Sequence, residues 1–262
     1  MPVVLLHGFP ENWRCWIRQL PDLVDAGFRV IVPDQRGYNL SDKPKGIRKY
    51  HINELVKDVL GLIDALGYEK VHLAGHDWGA AVAWTLAHRY PQRLGRLAIL
   101  NVPHPLVMRR FLFGDAEQIR RSWYLFFFQL PWLPEIGMRA DDWHGAIRTL
   151  RGSGRVHTFT NEDIQKYKVA WSQPGAMTSM INWYRALRYQ NHLPREMRIH
   201  VPTLLMWGMK DFALTHRMAR PSIDQCDDGT LILFPDATHW VQRDAAPEVN
   251  RHLINFWSET SS

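Results

Sequence analysis

Residues 75–79 have the sequence GHDWG, which fits a tight turn between a strand and a helix built around a nucleophile. Such a turn is strained, so it needs small residues beside the central side chain that it lifts into the open. The central residue is Asp77 rather than a serine. A carboxylate can attack an alkyl carbon to form an alkyl ester. An aspartate before a helix also serves as a plain N-cap, so the motif alone leaves both interpretations open.

Two further residues complete a possible triad with Asp77. Asp211 lies four residues after a predicted strand that ends at Trp207, and His239 follows closely after one that ends at Phe234. The carboxyl ends of parallel strands meet at one edge of a sheet, so we expect the three side chains to lie together. The chain order of nucleophile, acid and histidine is a known triad order. We expect His239 to activate water as a general base and Asp211 to orient its ring.

The first predicted strand ends in residues 7–10 (HGFP), which offer a backbone donor to the same site. We expect the backbone N–H groups of Phe9 and Trp78 to form an oxyanion hole for the tetrahedral intermediate of ester hydrolysis. The side chains of Phe9 and Trp78 are then expected to form part of a substrate pocket. An ordinary turn is the alternative interpretation of the HGFP segment.

Six short apolar runs predict the strands that position these residues. Each has four or five aliphatic or β-branched residues followed by turn or polar residues, which is typical of buried parallel strands. Helical periodicity occurs between several of them, over residues 53–66, 80–89 and 247–257. This alternation predicts an α/β protein with a mostly parallel sheet flanked by helices. The predicted strands are residues 3–6, 29–33, 71–75, 97–100, 203–207 and 230–234.

The alternation of strands and helices fails over residues 104–200. This segment is rich in aromatic residues and arginine, has helical patterns and no clear strand, and is bounded by prolines. We expect a helical cap inserted over the carboxyl edge of the sheet. The predicted organisation is therefore a first part of the core over residues 1–103, the cap over 104–200 and a second part of the core over 201–262.

Taken together, these motifs resemble the α/β-hydrolase superfamily and, within it, the epoxide hydrolases, whose nucleophile is an aspartate. The resemblance covers almost the whole chain and implies an α/β-hydrolase fold with an inserted cap. Members of the family normally have two further strands before the His-Gly strand. This sequence begins at that strand, so we expect those two strands to be absent and residues 29–33 to form an exposed sheet edge. The matching stretches are residues 7–13, 34–44, 75–80, 207–208 with 211, and 239–240.

The resemblance also assigns roles to two tyrosines of the predicted cap. In the epoxide hydrolases two cap tyrosines hold and protonate the epoxide oxygen, and a phenol in a dry pocket suits that task. Residues 124–131 (YLFFFQLP) look like the first tyrosine stretch and residues 182–185 (NWYR) like the second. Tyr124 and Tyr184 therefore carry these roles by resemblance, and Phe128 and Trp183 are expected to line the pocket. Packing within the cap is the simpler interpretation of both tyrosines when the resemblance is set aside.

The function that the resemblance implies is hydrolysis of a hydrophobic epoxide to a vicinal diol, through a hydroxyalkyl ester on Asp77 that His239-activated water cleaves. No cofactor and no metal is expected. A haloalkane dehalogenase is the first alternative, because it uses the same ester chemistry and Trp78 would suit halide binding. Phe9, however, stands where that family commonly has asparagine. A non-catalytic small-molecule receptor on the same fold is the second alternative.

Composition narrows the class of partner. The formal charge is +6, but the basic residues are scattered rather than gathered into a patch, which disfavours nucleic-acid binding. Cys15 and Cys226 do not make a disulfide framework, and no apolar run has the roughly 20 residues of a membrane span. We expect a cytoplasmic monomer or homodimer with no nucleic-acid or membrane partner, acting on a small hydrophobic epoxide and water.

Overall fold

The chain folds around a parallel sheet, in a computed structural model that describes residues 1–189 and 194–259. Every pair of neighbouring strands is parallel, and the spatial order is β2-β1-β3-β4-β5-β6. This order puts the ends of β3, β5 and β6 at the same edge of the sheet. The strands are β1 (Val3–Leu6), β2 (Val30–Ile31), β3 (Val71–His76), β4 (Leu94–Leu100), β5 (Thr203–Gly208) and β6 (Gly229–Phe234).

All six predicted strands are present, and two of them, β2 and β4, differ from their predicted lengths by more than one residue. β2 pairs only with β1 at the edge of the sheet, so its ladder covers two residues instead of the predicted five. β4 begins at Leu94, three residues earlier than expected. Gly95 and Arg96 interrupt the apolar pattern there, yet Arg96 is buried on the strand and its guanidinium bonds the Glu259 carboxylate at 2.8 Å.

Helices cover both faces of the sheet. Ala80, Ala83 and Ala87 of the helix that follows β3 are buried, and their small side chains let that helix approach the strands closely. No helix among residues 1–189 and 194–259 combines the length and apolar character of a membrane span. The helices are α1 (Leu20–Asp25), α2 (Ile52–Ala65), α3 (Trp78–Arg89), α4 (Pro105–Gly114), α5 (Ala116–Arg121), α6 (Trp123–Phe127), α7 (Leu133–Ser153), α8 (Asn161–Trp171), α9 (Ala176–Arg185), α10 (Ala219–Ile223), α11 (Val241–Asp244) and α12 (Ala246–Ser258).

Between β4 and β5 the described chain is helical and contains α4 to α9, which we call the helical insertion. Residues 140–143 interrupt α7 with non-helical backbone angles. The insertion is tied to the core by indole donors: Trp171 Nε1 donates to the Pro10 carbonyl at 2.6 Å and Trp183 Nε1 to the Arg36 carbonyl at 3.0 Å. Residues 190–193 of the predicted cap and residues 260–262 of the predicted second core part lie outside the described residues.

Alternating side chains of the strands feed two hydrophobic cores, one on each face of the sheet. In β1, Val4 and Leu6 pack with α2, α3 and the helical insertion, whereas Val3 and Leu5 pack with α1 and α12. The first core runs without interruption from the sheet into the insertion. The insertion therefore rests on the sheet edge where β3, β5 and β6 end.

Candidate active site

Asp77 occupies a strained turn between β3 and α3. Its backbone angles are φ 50° and ψ −124°, a region that residues other than glycine rarely adopt. The side chain makes no capping bond to α3. Its Oδ1 instead accepts a hydrogen bond of 2.6 Å from the backbone N–H of Phe9. The structure therefore excludes the N-cap interpretation of this aspartate.

The turn is held by two close approaches that only glycine permits. A Cβ atom at Gly8 would lie 2.2 Å from the Asp77 Cβ, and one at Gly79 would lie 2.3 Å from the Leu6 carbonyl oxygen. Both distances are far inside van der Waals contact. The segment after β1 is thus pressed against the Asp77 side chain, and the start of α3 is pressed against the end of β1. Together these approaches fix the position of Asp77.

We expect Gly8→Ala to displace the Asp77 carboxylate. The added methyl group must push it away from the Phe9 N–H, and a misplacement of about 1 Å costs roughly 100-fold in rate. Overpacking should also lower the free energy of unfolding by about 1–3 kcal/mol. Turnover assays measure the loss of rate, and chemical denaturation measures the change in the free energy of unfolding.

Gly61→Ala is the matched control, because a Cβ at that helical position meets nothing within 4 Å. It should keep full activity and raise stability by up to about 1 kcal/mol. Equal behaviour of the two variants would contradict the close approach at Gly8.

The structure brings the three predicted triad side chains together. His239 Nδ1 lies 2.7 Å from Asp211 Oδ2, and His239 Nε2 lies 3.6 Å from Asp77 Oδ2. Since a carboxylate only accepts, Nδ1 carries a proton and donates it to Asp211. The other ring nitrogen faces the Asp77 oxygen that Phe9 leaves free.

Four hydrogen-bond donors hold the Asp211 carboxylate. Of these, His239 was predicted from the sequence and the other three were not. Its Oδ1 accepts from the backbone N–H groups of Ala213 and Leu214 at 2.8 and 3.0 Å. Its Oδ2 accepts from Asn101 Nδ2 at 2.9 Å, in addition to His239. Asn101 follows β4 directly, is fully buried and has a φ of 54°. A polar residue directly after a predicted buried strand was the signal that could have identified Asn101.

The carboxylates of Asp77 and Asp211 shift the pKa of His239, and His239 in turn shifts the pKa of Asp77. Burial opposes a charged imidazole, but Asp211 and Asp77 outweigh it and raise the pKa of His239 to about 10. Burial also opposes ionisation of Asp77, yet His239 and the Phe9 N–H together lower the pKa of that carboxyl. The resting site at neutral pH is therefore a carboxylate beside an imidazolium.

His76 is a buried neutral neighbour of this pair. Burial and the nearby charge of His239 lower the pKa of His76 to about 3. Its Nε2 lies 2.9 Å from the carbonyl oxygen of His239 and donates to it. The bond fixes the backbone that carries the candidate base.

Aromatic rings from the core and the helical insertion surround the Asp77 carboxylate. The ring of Tyr184 packs edge-on against those of Phe9 and Trp78, each with centroids 5.1 Å apart. Tyr124 lies 6.0 Å from Tyr184, and Phe128 lies 4.7 Å from it. Burial and the negative charge of Asp77 raise the pKa of both tyrosines well above its usual range. Both phenols are therefore protonated at neutral pH.

Trp183 lies behind this cluster. Its ring is fully buried, 5.6 Å from Trp78 and 5.5 Å from Tyr38. The sequence predicted it as a pocket residue, and its direct contacts are with Trp78 and the core. Trp183 thus supports Trp78 from behind.

These features define a class of protein. A parallel sheet, a strained turn that presents a carboxylate, and a His–Asp pair at the same sheet edge are the arrangement of an α/β hydrolase with an aspartate in the position of the nucleophile.

Comparison with known proteins agrees with this class. Residues 1–246 match the model of the alpha/beta hydrolase fold family. The chain is 44% identical to the AB hydrolase superfamily protein YfhM of Bacillus subtilis over 254 residues, which cover 97% of this chain and 89% of that protein. It is 37% identical to Epoxide hydrolase 2 of Caenorhabditis elegans over 264 residues, which cover 99% of this chain and 74% of that protein.

A solved structure gives the same family. The crystal structure of Bacillus megaterium epoxide hydrolase in complex with an inhibitor superimposes with a TM-score of 0.89 at 31% identity, over 98% of this chain and 93% of that chain. The chain belongs to the α/β-hydrolase superfamily and, within it, to the epoxide hydrolases.

Proposed function

We propose that the protein opens an epoxide to a vicinal diol through a covalent ester on Asp77. The observation that carries the proposal is the orientation of the Asp77 carboxylate. Oδ1 is held by the Phe9 N–H at 2.6 Å, while Oδ2 is left free of that bond and faces His239. The aromatic cluster around it includes two protonated phenols. One oxygen is thus positioned to attack and the other to accept negative charge later.

In the first step, Asp77 Oδ2 attacks a carbon of the epoxide ring and the bond between that carbon and the ring oxygen breaks. Tyr124 and Tyr184 donate hydrogen bonds to the departing oxygen, and one of them transfers its proton. The product is a hydroxyalkyl ester of Asp77. The aromatic surroundings of Phe9, Trp78 and Phe128 exclude water from the reacting carbon and favour apolar or aryl substituents on it.

In the second step, His239 first passes the proton of its resting imidazolium to the tyrosinate. Its neutral Nε2 then takes a proton from water, and the hydroxide attacks the ester carbonyl carbon of Asp77. Negative charge collects on Oδ1, where the Phe9 N–H already donates. Trp78 supplies the second donor, because it is the first residue of α3 and its N–H has no partner within the helix. Collapse of the intermediate breaks the ester bond, and the departing oxygen takes the proton of the new Asp77 carboxyl group as the diol is released. The site thus returns to a carboxylate beside an imidazolium.

The first step prepares the base for the second. In the resting site two carboxylates hold the proton of His239, whose pKa is about 10. Esterification removes the charge of Asp77, and the Asp211 carboxylate stays in contact with the ring. The pKa of His239 in the ester is therefore lower than in the resting site, and the neutral imidazole that the water step needs becomes accessible.

This coupling predicts different pH dependences for the two steps. Hydrolysis of the ester should speed up as pH rises from mildly acidic to mildly alkaline values, because a larger fraction of His239 is neutral. Alkylation should stay constant over that range, because Asp77 with its lowered pKa is already ionised. Single-turnover tryptophan fluorescence can follow both steps, since Trp78 is part of the site. Ester hydrolysis that slows as pH rises would contradict the coupling.

The tyrosines are tested by removing one hydroxyl at a time. Tyr124→Phe and Tyr184→Phe are each expected to lower the alkylation rate by roughly 100-fold, since one general-acid contact is typically worth that factor and the other tyrosine remains. Ester hydrolysis should change much less. Tyr68→Phe, outside the aromatic cluster, is the control and should behave as wild type. Unchanged alkylation in both cluster variants would reduce the two tyrosines to packing residues.

We also propose that residues 104–200 act as a cap domain between core parts 1–103 and 201–262, with a hydrophobic epoxide and water as the reactants. The contact of Tyr184 with both Phe9 and Trp78 supports this division. A cytoplasmic location and a monomeric or homodimeric state complete the proposal.

A substrate panel tests the activity. Terminal, aryl and internal epoxides are assayed for diol, beside bromo- and chloroalkanes assayed for halide. Diol formation is expected. Halide release without diol would favour a haloalkane dehalogenase, although the ring of Phe9 packs on Phe128 and offers no side-chain donor to a halide. Neither product from folded protein would favour a receptor.

A further inference from the structure

The outer surface of α6 and the start of α7 carries large apolar side chains that face solvent. Phe126 is 71% exposed and Trp132 74% exposed, which is unusual for aromatic residues of a folded protein. Single exposed apolar residues are normal, but here they follow one another between residues 123 and 136. We call this set the aromatic patch, and its members are Trp123, Phe126, Leu130, Trp132, Leu133 and Ile136.

Backbone hydrogen bonds hold the aromatic patch in one compact corner. The N–H of Leu130 donates to the Phe127 carbonyl at 3.1 Å, and the N–H of Ile136 donates to the Trp132 carbonyl at 2.9 Å. The ring of Phe127 lies 5.8 Å from that of Trp123 and reaches to within 3.9 Å of a Cβ built on Gly137. The end of α6, the turn and the first turn of α7 therefore form one continuous surface.

Positive charge accompanies this corner along the chain, and Arg120 lines the same cavity as Trp123 of the aromatic patch. All three acidic side chains between α4 and the break in α7 are engaged: Asp115 and Glu117 with Arg217, and Glu135 with Arg185. Four exposed arginines of the same stretch make no ion pair within residues 1–189 and 194–259. They are Arg109, Arg110, Arg120 and Arg139.

We propose that the aromatic patch and these arginines dock the protein on an anionic phospholipid surface. Tryptophan and phenylalanine side chains insert at the boundary of headgroups and acyl chains, and arginine pairs with phosphate while its stem covers apolar surface. The unpaired charge favours this partner over a second copy of the chain. A two-fold symmetric contact through this surface would bring the positive charge of both copies into one interface.

The patch is joined to the candidate active site through α6. Trp123 and Phe126 face outward, whereas Tyr124 of the same helix contacts Tyr184. A cavity of about 430 Å³ opens beside Asp211, lined by Trp123 and Phe212 together with the basic residues Arg120, Arg121 and Lys210. The ring of Phe212 lies 6.0 Å from that of His239. An apolar epoxide that leaves the lipid phase thus meets the catalytic side chains next to the docking surface. This link to catalysis rests on the proposed function, whereas docking itself does not.

The proposal departs from the expectation, drawn from the sequence, that membranes are not a partner. That expectation rested on the length of apolar runs, which tests for spanning segments. Surface binding depends on which side chains of a helix–turn–helix corner are exposed, and the run over residues 123–136 does not reveal this before the fold is known.

The test is flotation of the purified protein with phosphatidylcholine vesicles, with and without phosphatidylglycerol. The wild type should float with the anionic vesicles and less with the neutral ones. Phe126→Gln with Trp132→Gln should weaken binding on the order of ten-fold for each side chain removed. Arg120→Gln with Arg139→Gln should weaken binding to anionic vesicles by about five-fold for each arginine. Val24→Gln with Val156→Gln is the matched control, since these exposed valines lie outside the patch.

Three outcomes would overturn the proposal. In the first, the wild type does not float with anionic vesicles. In the second, the patch and control variants lose vesicle binding equally. In the third, the patch variant floats as the wild type does but is a monomer where the wild type is a dimer. A kinetic assay separates docking from catalysis. The Phe126→Gln/Trp132→Gln variant should hydrolyse a water-soluble epoxide at the wild-type rate and a long-chain epoxide embedded in anionic vesicles about ten-fold more slowly or worse. If the wild type does not hydrolyse the soluble epoxide, that result contradicts the proposed function and does not affect the flotation result.

Discussion

Asp77→Ala is expected to abolish epoxide turnover, with a fall in kcat of more than about 10,000-fold. The carboxylate supplies both the attacking oxygen and the oxygen that accepts the hydrogen bond of the Phe9 N–H, and none of the other acidic side chains that the structure describes is placed to replace it. His239 and the two tyrosines cannot attack the epoxide in its stead within this geometry. The rate is measured with an aryl epoxide under saturating conditions.

The control for this variant is Asp64→Ala, which removes a surface carboxylate paired with Arg93. It should keep wild-type turnover, and both variants should unfold cooperatively in denaturant. If Asp77→Ala keeps a turnover rate within about ten-fold of wild type, Asp77 is not the nucleophile, because removing a triad residue lowers the rate by a far larger factor.

His239→Gln is expected to stop the second step while sparing the first. Asp77 keeps its free oxygen and the tyrosines keep their hydroxyls, so alkylation should slow only modestly. Water loses its base, and steady-state turnover should fall by about 10,000-fold. Mass spectrometry of the intact variant after mixing with epoxide should therefore find the protein enlarged by one substrate, and peptide mapping should place the addition on Asp77.

His252→Gln serves as the control, since His252 lies on α12, outside the site. This variant should turn over normally and accumulate no adduct. An unmodified His239→Gln protein that is also inactive would mean that His239 is needed for alkylation, and the two-step division of roles would be wrong.

The triad could be predicted from sequence because its members stand at the ends of β3, β5 and β6, and parallel strands of one sheet deliver their ends to one edge. The strands were recognisable as short apolar runs. The turn at Asp77 was recognisable because its two flanking glycines are dictated by close approaches of backbone, which no other residue tolerates.

The buried cluster of Glu11, Arg243 and Tyr167 could not be predicted, because it joins side chains from distant segments of the chain. Arg243 stands in a short helix, where arginine usually faces solvent, yet it is fully buried and its Nε donates to Glu11 at 3.1 Å. Tyr167 of the helical insertion donates to the same carboxylate at 2.6 Å. Burial raises the pKa of Glu11, although Arg243 and Tyr167 oppose the shift. Neither spacing nor local pattern joins these three residues.

The sequence also could not predict which side chains of the helical insertion are exposed. Residues 123–128 form a run of large apolar side chains that predicts burial throughout, but α6 divides them between Tyr124 and Phe128 on the side of the site and Phe126 in solvent. The division depends on how α6 docks on α9, which the sequence of either helix alone does not determine.

The most direct test of the central claim is a single turnover in water labelled with heavy oxygen, with enzyme in excess of epoxide. If the diol forms through an ester on Asp77, its new oxygen comes from the Asp77 carboxylate. The label should then appear in the peptide that contains Asp77 and be missing from the diol. Label in the diol and an unlabelled Asp77 would mean that water attacks the epoxide directly, and the covalent mechanism would be wrong.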